Sequence, residues 1–557
     1  MHPLALVVIF TSYLSVTTQR KPAPPLSYEY IEQPFLGSWS SHVGPPSNHS
    51  EICPQARSLH PSKNETYEAL GGAVRIPTES YDTMGPVGKD PQYEIFGQFH
   101  EYLERAYPLV HSTLRLTKVN TYGLLYHWQG TSESLKPILL AGHQDIVPID
   151  PTTIDQWIHP PYSGYFDGRW IWGRGSCDDK ASVIAILASI ESLLLTGFKP
   201  IRTIVVAFGF DEESAGTEGA GHLAVHLESI YRNHGFAALL DEGSGFSSSA
   251  LGEGIIFATP CTSEKGSMDI KIEVATTGGH SSVPPAHTGI GILSAAIVEL
   301  ESNPHPPALY RNGTPFATYQ CIAAHAPNIS TQFRELAKQA TGDDEALRKF
   351  QTSLLDMDPL NYAIMGTTQA VDIIEGGIKT NALPERASAI VNHRIAEHSS
   401  IEELQQRIAS ILLPVAEKFN LTFTSFGMDI SAGSGQGGHL ALSEAYGVSL
   451  TSSPVTPSGI DDIPYQILSG TIKAVLKNTK AYEHKKVIVS PLLSLGNTDT
   501  ASYWNLTEHI FRYQHFDEDV DMFNGLHTVN EAIRGEAVID AVKFYTMFIL
   551  NWDESSA

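Results

Sequence analysis

Five clusters of histidine and carboxylate residues recur along the chain, four of them directly behind apolar runs. Ile138-Leu-Leu-Ala-Gly ends in His143-Gln-Asp145, and the glycine-rich Trp172-Gly-Arg-Gly-Ser-Cys177 presents Asp178 and Asp179 ahead of Lys180. Phe210-Asp211-Glu212-Glu213, Leu240-Asp241-Glu242-Gly243 and Gly525-Leu-His527-Thr-Val-Asn-Glu531 follow in order. Imidazole and carboxylate are the donors that zinc accepts, so this set points to two zinc ions per chain and to hydrolysis. His143, Asp241, Glu213 and His527 supply two terminal ligands for each ion. Asp178 has the short reach and the two oxygens needed to bridge ions about 3.5–4 Å apart. Glu212 stands beside a ligand without being one, free to take a proton from the attacking water. Asp145, two residues beyond His143, can accept that ring's other N–H and fix its tautomer.

These residues need a rigid frame, and the pattern around them supplies one. Pro137–Ala141, Ile201–Phe210 and Phe236–Leu240 are short continuous apolar runs, as strands buried on both faces are. Ala181–Leu195 carries an apolar stripe through Val183, Ile186, Leu187, Ile190 and Leu194 and ends at Gly197, a helix closed by a glycine cap. Helical spacing also runs from Tyr93 to His111, and Leu114–Trp128 alternates as a hairpin. Strands alternating with helices indicate an α/β sheet. His143, Glu212, Glu213 and Asp241 fall just past its strand ends, where open α/β sheets bind ligands.

The pattern changes near Gly266. Met268–Ala275 alternates, with Ile270, Ile272 and Val274 on one face, as a sheet covered on one side does. Helix-like Ile290–Leu300, a polar stretch to about Thr368, strand-like Ala387–Ile395 and an amphipathic helix over Ser400–Phe419 follow. The Gly/Ser-rich segment Ser431–His439 reads as a connector. Beyond it come a helix over Tyr465–Lys477, a strand-like Lys485–Leu495 and a closing helix over Asn530–Asn551. The fold class is therefore α/β: a three-layer αβα catalytic domain with a mixed sheet, residues 66–264 and 440–557, interrupted by an inserted α+β lid domain over 265–439.

With 557 residues the chain is long enough for two domains plus extensions. Sixty-one Asp and Glu against 36 Lys and Arg give a formal net charge of −25, which excludes nucleic acid as a partner by repulsion. Leu4–Leu14 is apolar but too short to span a bilayer, so residues 1–19 read as a secretory signal or N-terminal anchor, with 20–65 as an extended arm. Asn-x-Ser/Thr sequons at Asn48, Asn64, Asn312, Asn328, Asn420 and Asn505 fit a glycosylated protein of the secretory pathway, secreted or in a vacuolar lumen. The four cysteines are too few and too scattered to form a disulfide scaffold, and Cys177 reads as a buried free thiol.

The order H-x-D, G-R-G-x-x-D-D-K, D-E-E, D-E-G and H-T-x-N-E resembles the co-catalytic zinc metallopeptidase family of aminoacylase, glutamate carboxypeptidase and carboxypeptidase S. The resemblance runs from about Glu65 to the C-terminus. It is strongest to the carboxypeptidase S branch, through Trp157-Ile-His-Pro-Pro-Tyr-Ser-Gly164, Phe208-Gly-Phe-Asp-Glu-Glu213, Asn497-Thr-Asp-Thr500 and Tyr503-Trp-Asn-Leu506. It implies that Asp178 bridges two metals, that His143 and Asp241 complete one site and Glu213 and His527 the other, and that Glu212 is the general base. It also implies a cis peptide between Asp178 and Asp179. Gly278-Gly-His280-Ser-Ser282 is similar to a lid motif whose histidine polarises the scissile carbonyl, in several relatives from the partner subunit of a homodimer, although a plain polar turn is the other reading. Asn381 and Arg394 match lid positions that hold the substrate carboxylate, with a surface salt bridge as the alternative for Arg394. Ala501 stands where many relatives carry a basic residue. The implied activity is a carboxypeptidase for Gly-X type peptides. An N-acyl-amino-acid hydrolase is the alternative, and an inactive binding protein is the reading that the intact ligand set disfavours.

Overall fold

The computed structural model describes residues 63–430 and 432–557. The expected signal segment, Cys53 and Asn48 lie outside the described residues, and the helix Lys63–Val74 begins where the N-terminal arm was expected still to run. Apolar runs decide the centre of the molecule. All six residues of the strand Ile138–His143 and all six of Ile204–Gly209 are buried, because helices cover both faces of the sheet.

That sheet has ten strands. Its main path runs 115–119, 123–128, 204–209, 138–143, 238–247, 510–517, 261–264 and 492–494, with 255–258 and 486–489 paired beside it. The central neighbours 204–209, 138–143, 238–247 and 510–517 are parallel, and the hairpin 115–128 is antiparallel, so the sheet is mixed. One face packs on the helices Lys180–Leu195, Ile463–Asn478 and Gly535–Glu554 through Leu140, Val206, Leu240, Ile186 and Phe548. The other packs on Ala220–Tyr231 through Leu139, Val205, Leu239 and Leu223. This is a three-layer αβα domain.

The lid is built on the opposite principle. Its six-stranded sheet, in the order 368–376, 386–395, 266–275, 438–444, 421–425 and 428–430, is covered on one face only. Gly266–Ala275 alternates strictly between buried and half-exposed, and Met268, Ile270, Ile272 and Val274 meet Leu293, Leu300, Ile408 and Leu412 of the helices Gly289–Glu301 and Ile401–Lys418. Ser400 caps the second helix by accepting the Glu403 N–H at 3.1 Å.

Two expectations change. The strand Gly438–Glu444 pairs with Gly266–Ala275, so residue 440 lies inside the lid sheet rather than at its boundary. Its glycine-rich approach reads as a linker, but the pairing is decided by Leu440 and Leu442 in the lid core. The polar stretch before Thr368 contains four helices, Thr314–His325, Thr331–Gln339, Asp344–Met357 and Leu360–Met365. Phe316, Phe333, Phe350 and Leu354 gather them against Phe257 and Ile488 of the catalytic sheet, so this part of the insertion is a separate helical module rather than lid. Cys177, Cys261 and Cys321 are buried and free.

Candidate metal centre

Two of the parallel strands, Ile138–His143 and Ile204–Gly209, deliver components at or just past their C-terminal ends. His143 is the last residue of its strand, and a Cβ on Gly142 would stand 2.7 Å from Asp179 Oδ2, the oxygen that accepts the His143 N–H at 3.2 Å. The bare glycine lets the two segments close. Glu212 and Glu213 open a short 3₁₀ turn just past Ile204–Gly209. Asp178 and Asp179, joined by a cis peptide, precede the helix Lys180–Leu195. His527 comes from a distant loop and sits at φ 57°, a left-handed conformation uncommon for a side chain of its size.

Glu531 ties that loop to the glycine-rich turn. Its Oε2 lies 2.6 Å from Arg174 Nη1, and its Oε1 accepts the Cys177 N–H at 2.9 Å. The sequence segments carrying Asp178 and His527 are thus held against each other by one buried carboxylate.

Asp178 faces both histidines at once. Its Oδ1 is 3.0 Å from His143 Nε2, and its Oδ2 is 3.0 Å from His527 Nε2. Glu213 Oε1 is 2.9 Å from His527 Nε2, and Glu242 Oε1 is 3.5 Å from His143 Nε2. Two groups with ligand atoms within metal-binding reach of one another result: His143, Asp178 and Glu213, and His143, Glu212 and Glu242.

The expected Asp241 is not in either group, and its neighbour Glu242 takes the place. Asp241 is buried, and its Oδ1 accepts the Glu242 N–H at 2.9 Å. The cause is a break in strand register, which passes from Arg512↔Asp241 directly to Tyr513↔Ser244. A bulge of this kind re-aims a side chain at a strand end. Gly243 permits it, since a Cβ there would lie 2.6 Å from the Arg512 backbone. The glycine after Glu242 is the signal in the sequence that the alternation stops there.

Asp145 orders the base of the centre. His143 Nδ1 lies 3.2 Å from its Oδ1 and 3.1 Å from its backbone carbonyl. The same carboxylate accepts the N–H groups of Glu212 at 3.2 Å and Glu213 at 3.1 Å. It therefore orients a histidine and the two-glutamate turn together.

The donor set fits cations. Burial pushes the carboxyls of Glu212, Glu242 and Glu213 up, and neighbouring carboxylates push them further. Burial works against ionisation of Asp178, yet hydrogen bonds from His143 and His527 hold its carboxyl far below the usual range. Burial likewise opposes the charge on His527, but Asp178 and Glu213 raise it to about 11. The carboxylates crowded around both imidazoles thus favour positive charge among them. That is the position a metal cation takes. His143 is 1% exposed whereas the His527 side chain is 39% exposed, so the cleft opens on the His527 side.

The lid residues belong to neither ligand group. His280 is exposed on the ribbon formed by Gly279–His280 and Ala382–Leu383, with Nδ1 2.6 Å from Ser282 Oγ. Asn381 is exposed beside it, and its carbonyl accepts the Ser281 N–H at 3.2 Å. Arg394 meets an amide rather than a carboxylate: its Nη1 donates to Asn497 Oδ1 at 2.9 Å, and Asn497 in turn donates to the Lys265 carbonyl at 2.5 Å.

A His and carboxylate cluster at the strand ends of an αβα sheet, with a separate lid domain, defines a metal-dependent hydrolase. The family model described as Peptidase family M20/M25/M40 matches residues 139–551, and the chain belongs to that family. It is a metallo-exopeptidase. Carboxypeptidase S of Saccharomyces cerevisiae is 36% identical, over 99% of this chain and 95% of the relative. N-fatty-acyl-amino acid synthase/hydrolase of Homo sapiens is 32% identical, over 87% of each chain. Human carnosine dipeptidase 1 shares the fold, with a TM-score of 0.57 at 15% identity over 92% of this chain and all of that one.

Proposed function

We propose that the chain is a dizinc metallo-carboxypeptidase that removes the C-terminal residue of Gly-X type peptides. The observation that carries the reading is the Asp178 carboxylate, each of whose oxygens lies 3.0 Å from a different histidine. His143 and Glu242 would hold one ion, and Glu213 and His527 the other, with Asp178 between them. Zinc is favoured by the mixed imidazole and carboxylate donors. When bound, the two cations would acidify the attacking water and polarise the scissile carbonyl.

The chain's own groups then move the proton and hold the substrate. Glu212, whose carboxyl burial and the nearby Glu242 push well above the usual carboxylate range, takes the proton of the water and delivers it to the leaving amine nitrogen. Asp145 keeps His143 in one tautomer and the Glu212 backbone in place. Arg394 offers a planar fork to the substrate carboxylate, exchanging its Asn497 partner for it, with Asn381 beside the same ribbon. His280 faces the developing oxyanion. Its exposure, on a ribbon that contributes to neither ligand group, supports supply from the partner lid of a homodimer. The apolar N-terminus and the sequons support a secretory or vacuolar lumen, and among the described residues no helix is long and apolar enough to cross a membrane.

The same centre could cleave a fatty amide, and the human N-fatty-acyl-amino acid relative favours that second reading. The more extensive match to carboxypeptidase S favours the peptide. Rates on blocked Gly-Leu and on N-oleoyl-leucine separate the two. A higher kcat/KM for the dipeptide supports the carboxypeptidase, and a preference for the oleoyl amide transfers the assignment to the second reading.

A further inference from the structure

The segment between the first described helix and the tyrosine at 81 carries no metal ligand, yet it is hydrogen-bonded to Lys180, to residues 144–146 and to Asp145. The helix Lys63–Val74 ends over the start of Lys180–Leu195, where Lys180, fully buried, donates from Nζ to the carbonyls of Ala73 at 3.1 Å and Ile76 at 2.6 Å. A cation at a helix C-terminus satisfies carbonyls that have no partner of their own. Two residues on, Thr78 Oγ1 donates to the Gln144 carbonyl at 2.6 Å, and its own carbonyl accepts the Ile146 N–H at 3.0 Å. Ser80 N–H returns to the Ile146 carbonyl at 3.2 Å. The segment is thereby laid along residues 144–146, immediately beyond His143.

This placement puts the Ser80 hydroxyl 2.6 Å from Asp145 Oδ2, with Ser80 2% exposed and Asp145 fully buried. The Asp145 carboxylate has four contacts. Oδ1 takes His143 Nδ1 and the Glu212 N–H, and Oδ2 takes the Glu213 N–H and Ser80. Ser80 makes the shortest of the four. A hydroxyl on a buried carboxylate at this distance is a strong, charge-assisted hydrogen bond. It comes from a chain segment independent of the histidine and of the two-glutamate turn.

We infer that Ser80 is a positioning residue of the catalytic centre: its hydroxyl locks the Asp145 rotamer, which aims His143 Nε2 at its metal and sets the backbone that carries Glu212 and Glu213. The inference rests on the metal-centre reading above. Without the hydroxyl, Oδ2 keeps one donor, and the carboxylate can turn away from the imidazole. Loss then falls on metal retention and turnover, while substrate affinity is left to the lid.

The test compares Ser80→Ala, Ser80→Thr and Thr78→Val in the full chain. Thr78→Val breaks a bond of the same segment, to the Gln144 carbonyl, without touching Asp145. Zinc affinity is read by competition with a chromophoric chelator, and kcat and KM are read separately. Ser80→Ala is expected to lower zinc affinity and kcat by about tenfold or more, the scale of groups that orient a ligating histidine, with KM little changed. Ser80→Thr, which keeps the donor, recovers most of both, and Thr78→Val leaves both near wild type. Equal losses in Ser80→Ala and Thr78→Val would overturn the inference, because the segment would then act only as packing. Wild-type values in Ser80→Ala would overturn it as well. A wild-type chain that binds no zinc would instead remove the metal-centre reading on which it stands.

Discussion

The two sides of the cleft are held in contrasting ways. On the catalytic side, Asp145 alone has four contacts, and Asp178, Glu213 and His527 interlock at 2.9–3.0 Å, brought together from a turn, a strand exit and a distant loop. On the lid side, His280 and Asn381 stand exposed on a two-stranded ribbon with only local hydrogen bonds, and Arg394 rests on an amide. One side is organised before substrate arrives. The other has its polar groups free to be organised by substrate or by a second subunit. Metal binding should therefore belong wholly to the catalytic domain, and carboxylate recognition to the lid.

The largest expected effect is on the catalytic side. Glu212→Gln should lower kcat by about a thousandfold, within the range of general-base catalysis, while metal content stays at the wild-type level. Loss of metal in that variant would mean that Glu212 is a ligand. On the lid side, His280→Ala should lower kcat by about a hundredfold, as removal of one oxyanion donor does, again with metal retained. Mixing His280→Ala with Glu212→Gln chains should restore activity when the histidine works across subunits. No recovery at any mixing ratio would place it in the same chain.

Arg394→Lys keeps the charge and loses the fork, so KM should rise by about tenfold with a smaller change in kcat. A fall in kcat alone would make the Asn497 contact, not substrate, its purpose. The smallest effect is on stability. Stripping metal by chelation should lower the unfolding free energy by about 3 kcal/mol when free metal had stood at a hundred times Kd. A melting temperature indifferent to chelator would contradict a metal centre buried among carboxylates.

What was legible in the sequence follows the same division. The buried strands announce themselves as continuous apolar runs, and His143, Glu212 and Glu213 stand where those runs stop. Asp241 lies one residue from the carboxylate that the geometry brings to His143, because alternation continues only until a strand bulges, and the register break at Glu242–Gly243 is a property of pairing with Arg512 and Tyr513. The helices between Thr314 and Met365 are short, and their polar faces outweigh single anchors such as Phe333 and Phe350, so they read as a polar stretch. Gly438–Glu444 follows a glycine-rich run, and only its partner strand makes it part of the lid. Ser80 belongs to no motif. Its role depends on the main chain of residues 78–80 pairing with Ile146, which lays the hydroxyl beside Asp145, a contact across 65 positions.

Metal stoichiometry by elemental analysis of wild type, Glu242→Gln and Asp241→Asn tests the central claim most directly. The account predicts about two zinc per wild-type chain, as a bridged centre requires, about one in Glu242→Gln, and an undiminished content in Asp241→Asn. A metal-free wild type, or a loss that follows Asp241 rather than Glu242, would contradict it.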